Sequence, residues 1–215
     1  MRPPPPPLSP DDSLPIPALP DSPTSVSLIG GRLSVNFANL AALGGHFSWE
    51  NLLHFLLLCR IISPERSAQL LALPRSDPSA ADALLRKADR LRASLRESFG
   101  AIVRREIPHH ASVEPINEVL RVTEGHDELV QEQAKWQIEF IAREGGLDWL
   151  LAAIARSGAD IIAEVGSARL RACANPQCGL FFYDASRTHR RRWCSMARCG
   201  NRHKVAAFAR RRASR

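Results

Sequence analysis

Four of the five cysteines in this chain stand as Cys173, Cys178, Cys194 and Cys199, spaced C-x4-C-x15-C-x4-C. Two short-spaced pairs can each present two thiolates on one side of a turn, and the intervening chain can bring the pairs into the tetrahedral arrangement that zinc accepts. Asn175, Pro176 and Gly179 supply turn chemistry around the first pair, and Gly200 and Asn201 around the second. The rival readings are two disulfides or unrelated free thiols. His189 and His203 lie close enough to replace a cysteine ligand, and read otherwise as solvent or phosphate contacts. Cys59 sits in a Leu-rich stretch far from the cluster and reads as a small buried thiol.

Compartment separates metal from disulfide. Met1-Arg2 is followed by five prolines rather than an apolar run, so the start does not read as a secretory signal. The longest apolar candidate for a membrane span, Leu52 to Ile62, is interrupted by His54 and Arg60. These features predict a cytoplasmic protein with no membrane role, where clustered cysteines are more often metal ligands than disulfides. Four thiolates leave no open coordination position, so the zinc is expected to be single and structural. The zinc-deaminase signature is absent, because Pro176 is followed by Gln177 and then the single Cys178.

Charge divides the chain. Residues 171 to 215 carry 12 Lys or Arg against the single Asp184, a net +11, which leaves −4 for the rest of a chain totalling +7. A metal-stapled segment this basic predicts contacts to a polyanion. The candidates are Arg187, Arg190, Arg191, Arg192, Arg198, Arg202, Lys204, Arg210, Arg211 and Arg212, the later ones on a helix expected to begin near Ser195. Some arginines would instead neutralise the −2 formal charge of a zinc–tetrathiolate. Trp193, Phe181 and Phe182 read as a miniature core.

Upstream, residues 1–26 carry ten prolines and few large apolar groups, and read as a disordered or polyproline II arm. Residues 27–168 read as a mixed domain, and 169–215 as the zinc module. From Leu28 to Leu40, Gly30-Gly31 followed by alternating Leu33, Val35 and Phe37 predicts a short hairpin or a turn-strand unit. Ser48, Ser63-Pro64 and Asp77-Pro78 are helix starts. Leu84, Ala88, Leu91, Leu95, Phe99 and Ile102 form a core-facing helical stripe. A short helix over Ile116 to Val122 leads to a strand pair at Leu129-Val130 and Trp136 to Phe140, bounded by Gly145-Gly146. A last helix follows Asp148, with Gly158 expected to break or kink it. The fold class is α+β: a mainly helical N-terminal domain with short strand pairs, plus a small zinc module. His46, His54, His109, His110 and His126 stand in no catalytic spacing, which argues against an enzyme.

The string Cys199-Gly200-Asn201-Arg202 carries a resemblance. With Cys173 to Cys178, Phe181-Phe182 and Arg190 to Met196, it resembles the CGNR zinc finger family. The resemblance implies that the four cysteines bind zinc and that the surrounding arginines contact nucleic acid. Proteins of that family carry upstream an ABATE domain, described as a putative stress-induced transcription regulator, and Gly31 to Leu40 resembles its opening strand. The chain departs from that pattern at Asn36, where an acidic residue is expected, and at Leu40, where a small polar one is. The expected function is a transcription regulator whose zinc module contacts double-stranded DNA, nucleoid-associated when bound, and whose N-terminal domain senses a small-molecule effector or mediates assembly. An RNA-binding adaptor and a thiol-based redox switch are the alternatives.

Overall fold

The computed structural model describes residues 28–40, 47–122, 125–132, 135–142, 146–164, 169–205 and 212. The Pro-rich segment 1–26, Arg210 and Arg211 lie outside them. The elements run α1 (Leu33–Ala38), α2 (Trp49–Leu58), α3 (Pro64–Leu71), α4 (Leu73–Ser76), α5 (Pro78–Val103), α6 (His110–Val122), β1 (Gly125–Glu132), β2 (Lys135–Ala142), α7 (Trp149–Ala163), β3 (Leu170–Ala172) and β4 (Phe181–Tyr183), followed by a π-helical turn at Met196–Gly200. The α+β assignment, mainly helical with short antiparallel pairs and a cysteine cluster at the C-terminal end, is what the chain adopts.

Three helix starts follow from local chemistry. The hydroxyl of Ser48 accepts the Asn51 N–H, that of Ser63 accepts the Arg66 N–H, and the Asp77 carboxylate accepts the Ala80 N–H. α6 begins earlier than its apolar pattern predicts. The reason is local: the His109 ring Nδ1 accepts the Ala111 N–H, while the Ser112 carbonyl receives the hydroxyls of Ser94 and Ser98 from α5. Two helices end on arginines in the left-handed region, Arg60 at φ 56 and Arg105 at φ 64. In each case the next residue's N–H reaches back to satisfy a terminal carbonyl, Ile61 to Leu56 and Glu106 to Ala101.

The 26-residue α5 is the axle. All six residues of its predicted stripe, Leu84 through Ile102, are buried. α1, α2, α4, α6, α7 and β3 all pack against it. The core around it is filled by Phe37, Phe55, Phe99, Leu52, Leu53, Leu56, Leu150 and Leu151.

Two sequence expectations are corrected. The segment from Gly31 to Leu40 is a glycine turn leading into α1, not a strand. Its apolar residues alternate over a stretch too short to separate period 2 from one helical turn, and burial of Val35, Phe37 and Ala38 against α5 and α7 decides for the helix. Gly158 does not break α7, which runs unbroken through it. A Cβ there would stand 2.3 Å from Leu95 Cδ2 and 3.7 Å from Ser34 Cβ, so the glycine lets three helices approach one another. The predicted second strand pair is present, with Leu129 opposite Ile138 and Gln131 opposite Trp136.

Replacing Gly158 by Val is therefore expected to destabilise the protein by roughly 1–3 kcal/mol through overpacking, despite the better helix propensity. A urea denaturation midpoint measures it; an unchanged or higher midpoint would contradict the close approach of α7 to α5.

Candidate metal centre and basic surface

The short pair β3–β4 brings the first two cysteines into place. Leu170 pairs with Tyr183 and Ala172 with Phe181, and the Cys173 N–H donates to the Leu180 carbonyl at 2.9 Å. Between the strands, Asn175 turns the chain: its carbonyl accepts the Cys178 N–H and its side-chain oxygen accepts the Gln177 N–H. Gly179 takes a positive φ of 64, which releases the chain into β4. The second pair lies on the other side. Ser195 caps the π-helical turn by accepting the Arg198 N–H, and that turn carries Cys199 inward.

The ligand atoms of Cys173, Cys178, Cys194 and Cys199 all lie within 4.8 Å of one another. Cys178 Sγ is 3.6 Å from Cys194 Sγ, which is 3.7 Å from Cys199 Sγ. A tetrahedron with zinc–sulfur bonds of about 2.3 Å has edges of about 3.8 Å, so the donor set fits that ion. The surrounding N–H groups suit charged sulfurs. Cys194 N–H points at Cys173 Sγ, and both Asn175 Nδ2, at 3.6 Å, and Arg202, at 4.0 Å, approach Cys199 Sγ. Cys178, Cys194 and Cys199 are buried and make a small core with Leu180 and Phe182, Trp193 packing at its edge; Phe181, expected in the same core, packs instead against the helical domain, because neighbouring residues of a strand face opposite ways.

Without a cation the four thiols compete. Burial, reinforced by the neighbouring thiols, pushes Cys194 far up, and burial likewise raises Cys178. Burial opposes ionisation of Cys199 too, but donation from Asn175 and from the other thiols outweighs it and pulls this thiol down to about 7. Cys59 stands apart on the helical domain, where burial pushes it up to about 11.

The module is not held by the chain alone. Asn39, just past α1, clasps Phe181 at both backbone groups: its Nδ2 donates to the carbonyl at 2.8 Å and its Oδ1 accepts the N–H at 2.9 Å. The Tyr183 N–H donates to the Gly30 carbonyl at 2.7 Å, and Phe99 meets Phe181 edge-on. Arg96 of α5 bridges the Ala38 and Gly179 carbonyls while lying over the Phe181 ring. Burial first, and then the charge of Arg92, lowers its pKa. Asn36 and Leu40, the departures from the family pattern, have structural work here. Asn36 Oδ1 accepts the Gly30 N–H at 2.7 Å, and Leu40 is in the core.

The basic candidates divide by environment. Arg187, Arg190, Arg192, Arg202 and Lys204 are exposed, as is Arg212, and Arg198 is half-buried. Arg191 is folded inward: its guanidinium donates to the Trp193 and Cys194 carbonyls and lies over the Phe182 ring. Arg202 donates to the Arg198 carbonyl as well as facing Cys199. His203 stacks against Trp193 at 4.7 Å, with Arg192 over the same indole, which sets the end of the arginine-bearing loop beside helical residues 201–205. His189 turns toward the Asp184 carbonyl from a positive φ of 49. The residue that spacing and charge did not single out is Asp184, which is fully buried. Its signal was its isolation: it is the only acid after residue 170.

A closed four-thiolate centre docked on a helical domain defines a metal-binding zinc finger protein. The CGNR zinc finger model matches residues 169–212, and the ABATE model, described as a putative stress-induced transcription regulator, matches residues 31–165. The second match spans more than half of the chain, so the protein belongs to the ABATE family, with a CGNR zinc finger following in the expected order. Comparison with curated proteins finds no match. No helix among the described residues is long and apolar enough to cross a membrane.

Two outcomes test the centre. Stripping the metal with a chelator is expected to make four thiols newly reactive to an aromatic disulfide reagent, Cys59 responding slowly because little of it is ionised. Because the ligands must lose their protons, apparent metal affinity should rise with pH through neutrality, and proton release on metal addition measures this. The clasp is tested by Asn39→Ala, which leaves the Phe181 N–H and carbonyl unpaired and is expected to cost about 1–3 kcal/mol in urea unfolding of the metal-loaded protein.

Proposed function

We propose that the protein is a non-enzymatic, zinc-dependent transcription regulator whose C-terminal module binds double-stranded DNA through its phosphates. The observation that carries this reading is the concentration of net +11 in residues 171–215, with Arg187, Arg190, Arg192, Arg202 and Lys204 exposed around a metal centre. Phosphate contact suits such a surface, because each arginine or lysine that neutralises a phosphate releases condensed counterions. Support for backbone contact over base stacking comes from Trp193, whose ring is already engaged by His203 and Arg192. The four-thiolate shell has no position left for a reacting water, which supports a scaffolding role for the metal.

The N-terminal domain would carry the effector. A groove of about 390 Å³ between α1 and α7, lined by Arg32, Leu33, Arg156, Ser157, Asp160 and Ile161, is a place for a small molecule. Arg32 also lies over the Tyr183 ring of β4 at 4.6 Å, so an occupant that contacts Arg32 would stand one side chain away from the strand that carries the module. The compartment that suits this function is the cytoplasm, with the bound protein on the nucleoid.

The full chain is the right material for the test, since β4 is fastened to α1 and α5. Binding of the zinc-loaded protein to a mixed-sequence DNA duplex should weaken steeply as salt rises. Replacing Arg187, Arg190 and Arg192 together by Gln should flatten the slope of log affinity against log salt by about 3, one unit per lost phosphate contact. No binding at low salt would end the proposal; structured RNA displacing the duplex at equal concentration would turn it toward RNA.

A further inference from the structure

Asp184 has no part in the metal centre, yet it is the most enclosed ionisable group around it, with 0% of its side chain exposed. A carboxylate taken out of water costs several kcal/mol unless its oxygens are well paired. Here they are. Oδ1 accepts the Ser186 N–H at 3.1 Å and the Ser186 hydroxyl at 2.6 Å; Oδ2 accepts the Arg191 N–H at 3.0 Å and faces Arg171 Nε at 3.4 Å. Burial alone would raise its pKa, but the donors from Ser186 and Arg191, together with the Arg171 charge, hold it below the ordinary carboxylate value.

These bonds close a loop. The Asp184 N–H is anchored to the Arg169 carbonyl ahead of β3, and its own carbonyl meets the His189 ring, while Arg171 also donates to the His189 carbonyl at 2.6 Å. The chain from 184 to 191 is thereby drawn into a compact turn with both ends on one carboxylate. Exposed on that turn or just beyond it are Arg187, Arg190 and Arg192, while Arg191 is turned back onto the Cys194 carbonyl.

We propose that Asp184 is a positioning residue for nucleic-acid binding: the one acid of the basic segment orders the loop that presents Arg187, Arg190 and Arg192. The proposal rests on the nucleic-acid reading above, and it gives the lone carboxylate of an otherwise basic segment a physical role. A loop held in its binding shape before the encounter loses less side-chain and backbone freedom on binding.

The test is Asp184→Asn in the full-length, metal-loaded chain, with cobalt substituted for zinc so that the thiolate–metal absorption band reports the centre. The band is expected to persist. Hydrogen exchange of the Arg191 and Ser186 amides should accelerate on the order of tenfold, while the Cys173 and Cys178 amides keep their rates. Affinity for a mixed-sequence DNA duplex should fall about tenfold, the scale of ordering one or two long side chains. In a background already carrying Gln at 187, 190 and 192, the same substitution should change affinity little. Unchanged amide exchange, or an equal loss of affinity in both backgrounds, overturns the proposal. If the native chain binds no duplex while the two amides still accelerate, the loop-ordering role stands and the nucleic-acid reading falls. Ser186→Ala, which removes one donor and leaves the buried acid in place, carries the same readouts in the same direction if Asp184→Asn fails to hold metal.

Discussion

Four sulfurs that all lie within 4.8 Å of one another cannot all be thiolates unless a cation stands among them. Everything at the C-terminal end follows from that constraint. The strands β3 and β4 are three residues each, and the core beneath them consists of Leu180, Phe182 and the cysteines themselves. So small an apolar cluster does not hold a fold by hydrophobic burial alone. A metal held by the four cysteines would replace the missing core, and the N–H groups of Cys194, Asn175 and Arg202 aimed at sulfur would temper the charge that four thiolates bring.

The second support is the helical domain. β4 lies between its own module and the α1–α5 edge, sending Phe182 into the metal-side core and Phe181 toward Phe99. Alternation of side chains along a strand makes this division automatic: one face of a three-residue strand serves the metal centre and the other serves the domain. The Asn39 clasp and the Tyr183–Gly30 bond then satisfy backbone groups on β4 that β3 does not reach. A finger built this way is seated on its domain through Arg32, Tyr183 and the Phe181 backbone.

Much of this was legible beforehand, and the boundary of legibility has physical causes. Caps at Ser48, Ser63 and Asp77 are local chemistry, and so is the 3.6-residue rhythm of α5. α1 is not legible in this way, because six residues offer too few repeats to tell one period from another. The propensity of Gly158 predicts a break, whereas its role is set by Leu95, 63 positions away in sequence. Arg191 stood within an apparently uniform run of arginines, and only its contacts with Phe182 and the Trp193 and Cys194 carbonyls separate it from its exposed neighbours.

By itself the sequence determined the four-cysteine site and the charge: cysteine spacing sets which atoms can meet around one ion, and the composition of residues 171–215 sets the sign of the field, both properties of short or summed stretches of chain. Tertiary structure alone decided which arginines are structural and which are free, where the finger sits on the helices, and that Asp184 is buried as the centre of the arginine loop. Those outcomes depend on desolvation and on partners distant in sequence, and neither is present in a local pattern of residues.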